Sequence, residues 1–355
     1  ICEYLDAWGI PYEKGIANTG VVGIIKGKKQ GKTVGLRADI DALPIKEEND
    51  VEYKSQYKGK MHACGHDAHT TILLGAAKIL KEMENDIAGN IKLFFQPAEE
   101  TVGGALPMIQ EGCMDNPKVD YVLGLHVMPY IEAGMVELKY GKLNASSDEI
   151  IITIKGKSGH GAYPEKAVDA IMIAGHVLVS LQTVVSRNIS PLNSLVLSLG
   201  TIQGGTKENV IADKVTITGT LRSLDINTRT YAKERIKKIV ENVALSFNGE
   251  GKVKFNEGYE PLINNDEIVD VIKETAEKIL GKNNIVYKEA PSLGAEDFSY
   301  FSNRAKGAFY HLGCGNKEKG IVESIHNSKF DIDEECLKTG VILQVENTLE
   351  LLKKD

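Results

Sequence analysis

"GNIKLFFQPAEE", residues 89–100, joins a short apolar run to a polar end that carries two adjacent glutamates. Such a run is typical of a strand that is buried on both faces of a sheet. The stretches "TGVVGIIKG" (19–27), "KTVGLRADI" (32–40) and "DYVLGLHVM" (120–128) have the same form, and "TTILLGAAKILKEMEN" (70–85) has apolar residues at helical spacing. The pattern predicts an α/β fold, with a sheet covered by helices on both faces.

Beyond residue 147 the pattern changes. The predicted elements then run strand, helix, strand, strand, helix, strand, which is the order of a ferredoxin-like domain. "YEPLINNDE" breaks the pattern and returns the chain to its first domain. We therefore predict an inserted domain over 147–259, within a discontinuous domain formed by 1–146 and 260–355.

The composition argues against several classes of protein. The 355 residues carry a formal net charge of −7, whereas a nucleic-acid-binding protein shows a basic surplus. The longest apolar run, residues 170–185, is interrupted by His176 and Gln182 and falls short of the roughly 18 residues of a membrane helix. Five scattered cysteines favour a reducing compartment over a disulfide framework. We expect a cytoplasmic protein without nucleic-acid or membrane partners and, because the chain begins without Met, further residues upstream.

The stretch "MHACGHDAHT", residues 61–70, concentrates three histidines, a cysteine and an aspartate. The Cys64 thiolate and the neutral His66 imidazole are good ligands for zinc and related ions. The segment also fits a polar turn that caps the next helix, and Cys64 with a histidine base fits a thiol nucleophile. The segment alone leaves these three interpretations open.

Glu99 and Glu100 form a carboxylate pair at the end of a predicted strand. Paired acids in a loop are usually solvated, but here Pro97 fixes the turn. One carboxylate can bind a metal ion while the other takes a proton from the attacking water. Metal-assisted hydrolysis needs this division of labour.

Other polar residues also follow apolar strands. His126 ends the strand at 120–128, and His326 precedes an acidic, turn-like stretch. Asp39 and Asp41 lie on one side of an extended segment, from which an aspartate can orient a ligand histidine. Because open α/β sheets bind ligands outside the carboxyl ends of their strands, these groups together favour the metal site.

The motifs taken together resemble the metal-dependent amidohydrolase/carboxypeptidase family, in the branch of hippurate hydrolase, the indole-acetyl-amino-acid hydrolases and N-acetyl-diaminopimelate deacetylase. The resemblance runs in order from about residue 19 to 330 and rests on "RADIDALP", "MHACGHDAHT", "FFQPAEE", "GLHV", "GHGAYPEKAVDAI", "GTIQGGTKENVIAD", "GAEDFSYF" and the late "HN". It implies a dinuclear-metallohydrolase catalytic domain with a mixed sheet and an inserted ferredoxin-like lid.

The resemblance also implies two divalent metal ions per chain, of zinc, manganese, cobalt or nickel. The matching metal ligands are Cys64, His66, Glu100, His126 and His326. Cys64 takes the place of an aspartate that bridges the two ions in many relatives, so we expect a bridging thiolate rather than a nucleophile. Glu99 matches the general base, and Asp41 matches the aspartate that supports the centre.

In the family the inserted domain serves as a lid and as a dimerisation module. His160 matches a histidine that reaches the active site, often from a partner subunit, and steadies the oxyanion. Asn209 and Arg222 match lid residues that hold the amide oxygen or the carboxylate of the substrate, although a strand-end arginine is often a surface charge. The segment that contains Glu296 matches a loop that lines the substrate pocket. The same segment equally fits the start of a helix with acidic residues in its first turn. A homodimer through the lid follows from the resemblance.

The predicted activity is hydrolysis of the amide bond of an N-acyl amino acid, such as an N-acetyl- or benzoyl-amino acid or N-acetyl-diaminopimelate. Water would be activated by the two-metal centre, with Glu99 as the base. One alternative is a carboxypeptidase or dipeptidase that acts on short peptides. The other is a non-catalytic protein with a structural metal site. The Glu99–Glu100 pair weighs against the latter, because structural zinc has no use for an unliganded acid.

Overall fold

The structure, a computed structural model, describes residues 1–354. Its strands are β1 (Tyr12–Ile16), β2 (Gly20–Lys26), β3 (Lys29–Asp39), β4 (Ala88–Gln96), β5 (Tyr121–Glu132), β6 (Val136–Leu138), β7 (Gly141–Asn144), β8 (Asp148–Lys155), β9 (Gly159–His160), β10 (Leu195–Gly204), β11 (Val210–Ile211), β12 (Lys214–Ser223), β13 (Glu250–Glu257), β14 (Leu262–Asn264), β15 (Ile285–Tyr287) and β16 (Lys306–Gly315). Its α-helices are α1 (Cys2–Ala7), α2 (His66–Glu82), α3 (Ala105–Gln110), α4 (Ala170–Thr183), α5 (Ile226–Ser246), α6 (Asp266–Leu280), α7 (Ser299–Ser302) and α8 (Glu335–Leu352).

The chain divides into two compact units. The first contains Ile1–Leu143, Ile263–Ala290 and the described residues from Asp297 onward. It holds an eight-stranded sheet in the order β1-β2-β4-β3-β5-β16-β6-β15. The neighbours β4, β3, β5 and β16 are parallel, while β1, β2 and β6 join by antiparallel pairing. The predicted mixed-sheet α/β architecture is confirmed.

The central strands are buried on both faces, which explains their near-continuous apolar sequences. Leu36 of β3, Leu93 of β4 and Leu123 of β5 have no exposed surface. Each such side chain contributes about 1.5–3 kcal/mol by leaving water. Because β3, β4 and β5 run parallel, their carboxyl ends meet at one edge of the sheet. The polar segments that follow these strands are thereby brought together.

The second unit contains Asn144–Leu262 and Pro291–Glu296. Its antiparallel sheet has the order β10-β12-β8-β13, and α4 and α5 pack on it. Ile150, Ile152 and Ile154 of β8 are fully buried at every second position, as expected for a strand with one face in the core. The element order is the predicted βαββαβ, with the short β9–β11 pair added.

The two units divide the chain slightly differently from the predicted ranges. The second unit also takes in residues 291–296, which no sequence pattern indicates. The physical reason is backbone pairing, because the Ala145 amide lies 3.0 Å from the Ser292 carbonyl and 3.1 Å from the Gly294 carbonyl. A segment almost 150 residues away in sequence is thus attached to the beginning of the inserted unit.

Within the described residues, one helical segment, Ala170–Asn188, is long and apolar enough to cross a membrane by length and composition. The expectation that no apolar run reaches this length was therefore wrong. The same test is passed by core helices of globular proteins, and Ile173, Val177 and Leu181 of this helix are fully buried in the core of the second unit.

Candidate metal centre

Gly65 turns the chain between Cys64 and His66, the first two predicted ligands. It adopts a left-handed conformation, with φ +80°, and a Cβ atom there would lie 2.3 Å from Val127 Cγ2. Only glycine fits this turn without strain. The helix α2 therefore starts at His66, four residues before the predicted start, and both Cys64 and His66 are buried.

Cys64 and His126 approach each other through the sulfur of one and a ring nitrogen of the other. The His126 Nδ1 lies 2.7 Å from the carbonyl oxygen of Val127. Since a carbonyl can only accept, Nδ1 carries the proton and Nε2 presents a lone pair. That Nε2 is 3.3 Å from Cys64 Sγ. Together with His66, these residues offer three ligand atoms within 4.8 Å of one another.

A second group of ligand atoms shares Cys64 with the first. Cys64, Glu100 and His326 also bring their ligand atoms within 4.8 Å of one another, and His326 Nε2 lies 2.8 Å from Glu100 Oε1. All five predicted ligands thus form two groups that meet at one sulfur. Glu99 joins His66 and Glu100 in a further group of the same size. Thiolate, imidazole and carboxylate are the donor set that zinc and related divalent ions prefer.

Two segments that carry predicted ligands contain non-glycine residues with positive φ. Ala98, just before the glutamate pair, has φ +60°, and His326 has φ +65°. Such residues cost about 1–3 kcal/mol each and persist only where the surroundings fix them. For His326, the backbone amide donates to the Ala63 carbonyl at 2.7 Å, which ties it to the Cys64 segment. No signal in the sequence predicts either conformation.

The protonation of the donor atoms follows from their surroundings. Burial and the adjacent Glu100 carboxylate raise the pKa of Cys64, so its thiolate form requires a positive charge at the sulfur. Burial and His69 hold the pKa of His126 well below its usual range, which keeps the imidazole neutral, as a metal ligand must be. Burial opposes protonation of His66, but Asp39 and Asp41 raise its pKa to about 9.

Asp41 links two of the ligand segments. Its Oδ1 lies 3.1 Å from His66 Nδ1, and its Oδ2 accepts the backbone N–H of Glu100 at 3.0 Å. Burial would raise the pKa of Asp41, but these two hydrogen bonds lower it, so the carboxyl remains ionised. The contact leaves His66 Nε2 as the nitrogen available to a metal ion.

A buried arginine network below the centre was missed by the sequence analysis. Arg37 is 2% exposed, and its guanidinium donates to Gln96 Oε1 at 2.8 Å, to Asp39 Oδ2 at 2.7 Å and to Asp297 Oδ1 at 2.9 Å. Burial would raise the pKa of Asp39, but Arg37 and the neighbouring histidines His66 and His69 hold it well below its usual range. An arginine inside the apolar run "VGLRAD" is the signal that could have revealed this network.

The four predicted site residues of the second unit do not all lie together. His160 in β9 is exposed and pairs in register with Val210 of β11, and the Gly161 amide donates to the Asn209 carbonyl at 2.8 Å. The structure therefore brings His160 and Asn209 together. Arg222 is the second-last residue of β12 and lies eight residues beyond Lys214, at a distance along the strand of about 26 Å. Glu296 is buried at the end of the 291–296 segment.

Comparison with known sequences identifies relatives along almost the whole chain. Residues 35–346 match the pattern of peptidase family M20/M25/M40. Thermostable carboxypeptidase 2 of Saccharolobus solfataricus is 42% identical over 96% of this chain and 86% of its own. N-acetyl-L-cysteine deacetylase of Bacillus subtilis is 40% identical over 99% and 82%, and hippurate hydrolase of Campylobacter jejuni is 39% identical over 99% and 90%.

Solved structures share the fold. A putative aminohydrolase from methicillin-resistant Staphylococcus aureus superposes with a TM-score of 0.93 at 34% identity, covering 99% of this chain and 90% of that one. The YXEP protein of Bacillus subtilis, a dinuclear metal binding peptidase, superposes with a TM-score of 0.84 at 29% identity, covering 100% and 91%. The similarity therefore extends over both units of the chain.

Proposed function

We propose, from the premise that the chain belongs to peptidase family M20/M25/M40, that it hydrolyses the amide bond of N-acyl amino acids at a two-metal centre. As a member of this family the chain is a metal-dependent hydrolase that acts on amide bonds. The proposal concerns its metal ions, its substrate and the residues that act. The observation that carries it is the pair of ligand groups that share Cys64, with Glu99 beside them.

The donor atoms of this chain fit two divalent ions. Cys64, His66 and His126 would hold one ion, and Cys64, Glu100 and His326 the other. Such ions, when bound, lower the pKa of water toward ~7 and polarise the substrate carbonyl. The bridging position suits Cys64 because its buried sulfur belongs to both groups.

Glu99 is the residue that moves protons in this proposal. Its carboxylate takes a proton from the attacking water and returns it to the leaving amine, a role that accelerates such reactions by about 10²–10⁴-fold. Asp41 holds the ring of His66 and the backbone of Glu100 in place through the contacts described above. His160 donates to the oxyanion, which is worth about 3 kcal/mol for a single donor.

The inserted unit supports a homodimer. His160 and Asn209 lie together at the β9–β11 pair, whereas Arg222 lies near the end of β12. This distribution agrees with a site to which two copies contribute. α4 also exposes the apolar side chains Ile171, Met172 and Val179. We accordingly propose a dimer through this unit, which acts as a lid, in a cytoplasmic enzyme.

The choice of substrate rests on the relatives. N-acetyl-L-cysteine deacetylase and hippurate hydrolase are named for acylated amino acids, whereas the 42% identical relative is named a carboxypeptidase. Release of amino acids from an N-acetyl, N-benzoyl and dipeptide panel separates the two possibilities. We expect the acylated amino acids to be the better substrates, and preferential dipeptide cleavage would favour the carboxypeptidase.

The role of Glu99 is tested by Glu99→Gln, which keeps the shape of the side chain and removes the base. We expect kcat to fall by about 10²–10⁴-fold, while the metal content stays at two ions per chain. Glu318→Gln, at an exposed glutamate elsewhere in the chain, serves as the matched control and should leave both quantities unchanged. Substantial amidase activity in Glu99→Gln would show that another group is the base.

A further inference from the structure

His69, in the first turn of α2, uses both ring nitrogens in hydrogen bonds. It is 2% exposed, and the backbone N–H of Val127 donates to its Nε2 at 2.9 Å. An amide can only donate, so Nε2 is unprotonated and the ring proton sits on Nδ1. Nδ1 then donates to Asp39 Oδ1 at 2.6 Å. The backbone thus fixes the tautomer of a neutral His69.

The Val127 amide, which donates to His69, lies beyond the end of the pairing between β3 and β5, whereas β5 still pairs with β16 there. The pairing of β3 with β5 ends at Arg37 and Gly124. Beyond that point the Val127 N–H donates to the His69 side chain and not to a residue of β3. The carbonyl oxygen of Val127 accepts a hydrogen bond from His126 Nδ1 at 2.7 Å. A single backbone residue therefore connects His69 to His126, whose Nε2 faces Cys64.

Asp39, at the other end of this series of hydrogen bonds, is also held in place. Asp39 is fully buried, and its Oδ2 accepts from Arg37 Nη1 at 2.7 Å. Arg37 is itself fixed by Gln96 and Asp297, as described above. The connection runs from Arg37 through Asp39, His69 and Val127 to His126. All of it lies in the first unit.

Asp39, His66 and His69 also bring their ligand atoms within 4.8 Å of one another, as a metal site would require. His69 cannot act as a ligand in the tautomer that the backbone imposes, because its only ring lone pair accepts the Val127 amide. The same geometry indicates instead a residue that lies outside the ligand set and orients a ligand through hydrogen bonds.

We propose that His69 is a positioning residue, which orients His126 through the backbone of Val127 and thereby raises the affinity of the centre for divalent metal ions. The inference rests on the proposed two-metal centre and extends it to a residue outside the ligand set. The loss of an orienting partner of this kind typically weakens metal binding by about 10–100-fold.

Two isosteric variants separate the contact with Val127 from the contact with Asp39. In His69→Gln, the longer amide can accept the Val127 N–H from the position of Nε2. In His69→Asn, the amide occupies the position of Nδ1 and retains only the bond to Asp39. His311→Asn is the matched control, because His311 is 5% exposed and pairs in register with His126 but binds Glu137. Zn²⁺ affinity is measured on each full-length protein by competition with a chelator.

We expect His69→Asn to bind Zn²⁺ about 10–100-fold more weakly than wild type, with His69→Gln and His311→Asn close to wild type. The visible absorption of bound Co²⁺ should change in His69→Asn alone. Equal affinities in His69→Asn and wild type, or equal losses in His69→Gln and His69→Asn, would overturn the inference. If His69→Asn does not fold, His69→Ala also removes the acceptor of the Val127 N–H and should give the same loss. A wild-type chain that binds no Zn²⁺ would instead refute the proposed centre itself.

Discussion

Two clusters of ionisable side chains each include a residue of β5, and their charges are balanced in opposite ways. In the sheet register His126 of β5 pairs with His311 of β16. At the candidate centre His126 Nε2 presents a lone pair 3.3 Å from Cys64 Sγ, so the thiol supplies the only hydrogen between the two atoms. The second cluster, here called the Glu137 cluster, consists of Tyr130, Glu137, Lys288 and His311. In it Glu137 Oε1 lies 2.7 Å from both Tyr130 and His311 and 3.2 Å from Lys288 Nζ.

The difference in charge balance indicates which of the two clusters needs a metal ion. Burial would raise the pKa of Glu137, but the hydrogen bonds from His311 and Tyr130, together with Lys288, lower it to about 2. That cluster contains its own donors and its own cation. At the candidate centre, burial and Glu100 push the Cys64 pKa upward, because the surrounding groups are acceptors or acids. A buried histidine at a strand position is therefore informative only together with the groups that face it.

The largest expected effect comes from the sulfur that both ligand groups share. Cys64→Ala should remove a ligand from both ions, lower the metal content below two per chain and reduce kcat/KM by about 10³-fold or more, since metal activation supplies several kcal/mol. Metal analysis and amide hydrolysis measure the two losses. Cys113→Ala is the control, because Cys113 is also 6% exposed but lies outside the centre. Two tightly bound ions in Cys64→Ala would contradict the shared role of this sulfur.

A smaller effect, on stability, is expected at the buried arginine. Arg37→Met keeps the length and apolar stem of the side chain but leaves Asp39 and Asp297 without their shared cation. Breaking a buried pair in this way costs about 3–5 kcal/mol, to be measured by urea unfolding. Arg187→Met, at an exposed arginine, should change the free energy of unfolding little. A similarly small change in Arg37→Met would mean that the network does not stabilise the first unit.

The smallest effect is expected in the Glu137 cluster and depends on pH. The folded-state pKa of Glu137, about 2, lies below the ordinary value of 4.5, so its contribution to stability is complete above pH 4.5 and is lost as the pH falls toward 2. Glu137→Gln should therefore lower the free energy of unfolding by about 1–2 kcal/mol at pH 7, and its difference from wild type should shrink below pH 4.5. Urea unfolding at several pH values measures this difference. A difference that grows toward acid pH, or a loss of bound metal in this variant, would contradict the comparison.

The sequence predicts most of the candidate centre because Glu100 and His126 follow apolar strands that are visible locally, and because the resemblance to the family supplies Cys64, His66 and His326. Cys64, His66, Glu100, His126 and His326 are all brought together in the structure. The start of α2 was placed too late because its first turn, His66–His69, is mostly polar and lies outside the apolar spacing that predicts the helix. The partner of Arg37, Asp297, lies 260 residues further along the chain, so the local pattern could indicate a buried arginine but not this partner. Periodicity predicts elements, whereas contacts between distant segments decide which polar side chains meet.

The central claim, that one cysteine sulfur is shared by two metal ions, is tested most directly by X-ray absorption spectroscopy of the zinc-loaded protein. The account predicts one sulfur neighbour per zinc at about 2.3 Å, with a second zinc at about 3.5–4 Å. Because Cys64 is the only cysteine in the two ligand groups, an unshared thiolate would give half a sulfur per zinc on average. That value, or a spectrum without any sulfur contribution, would contradict the account.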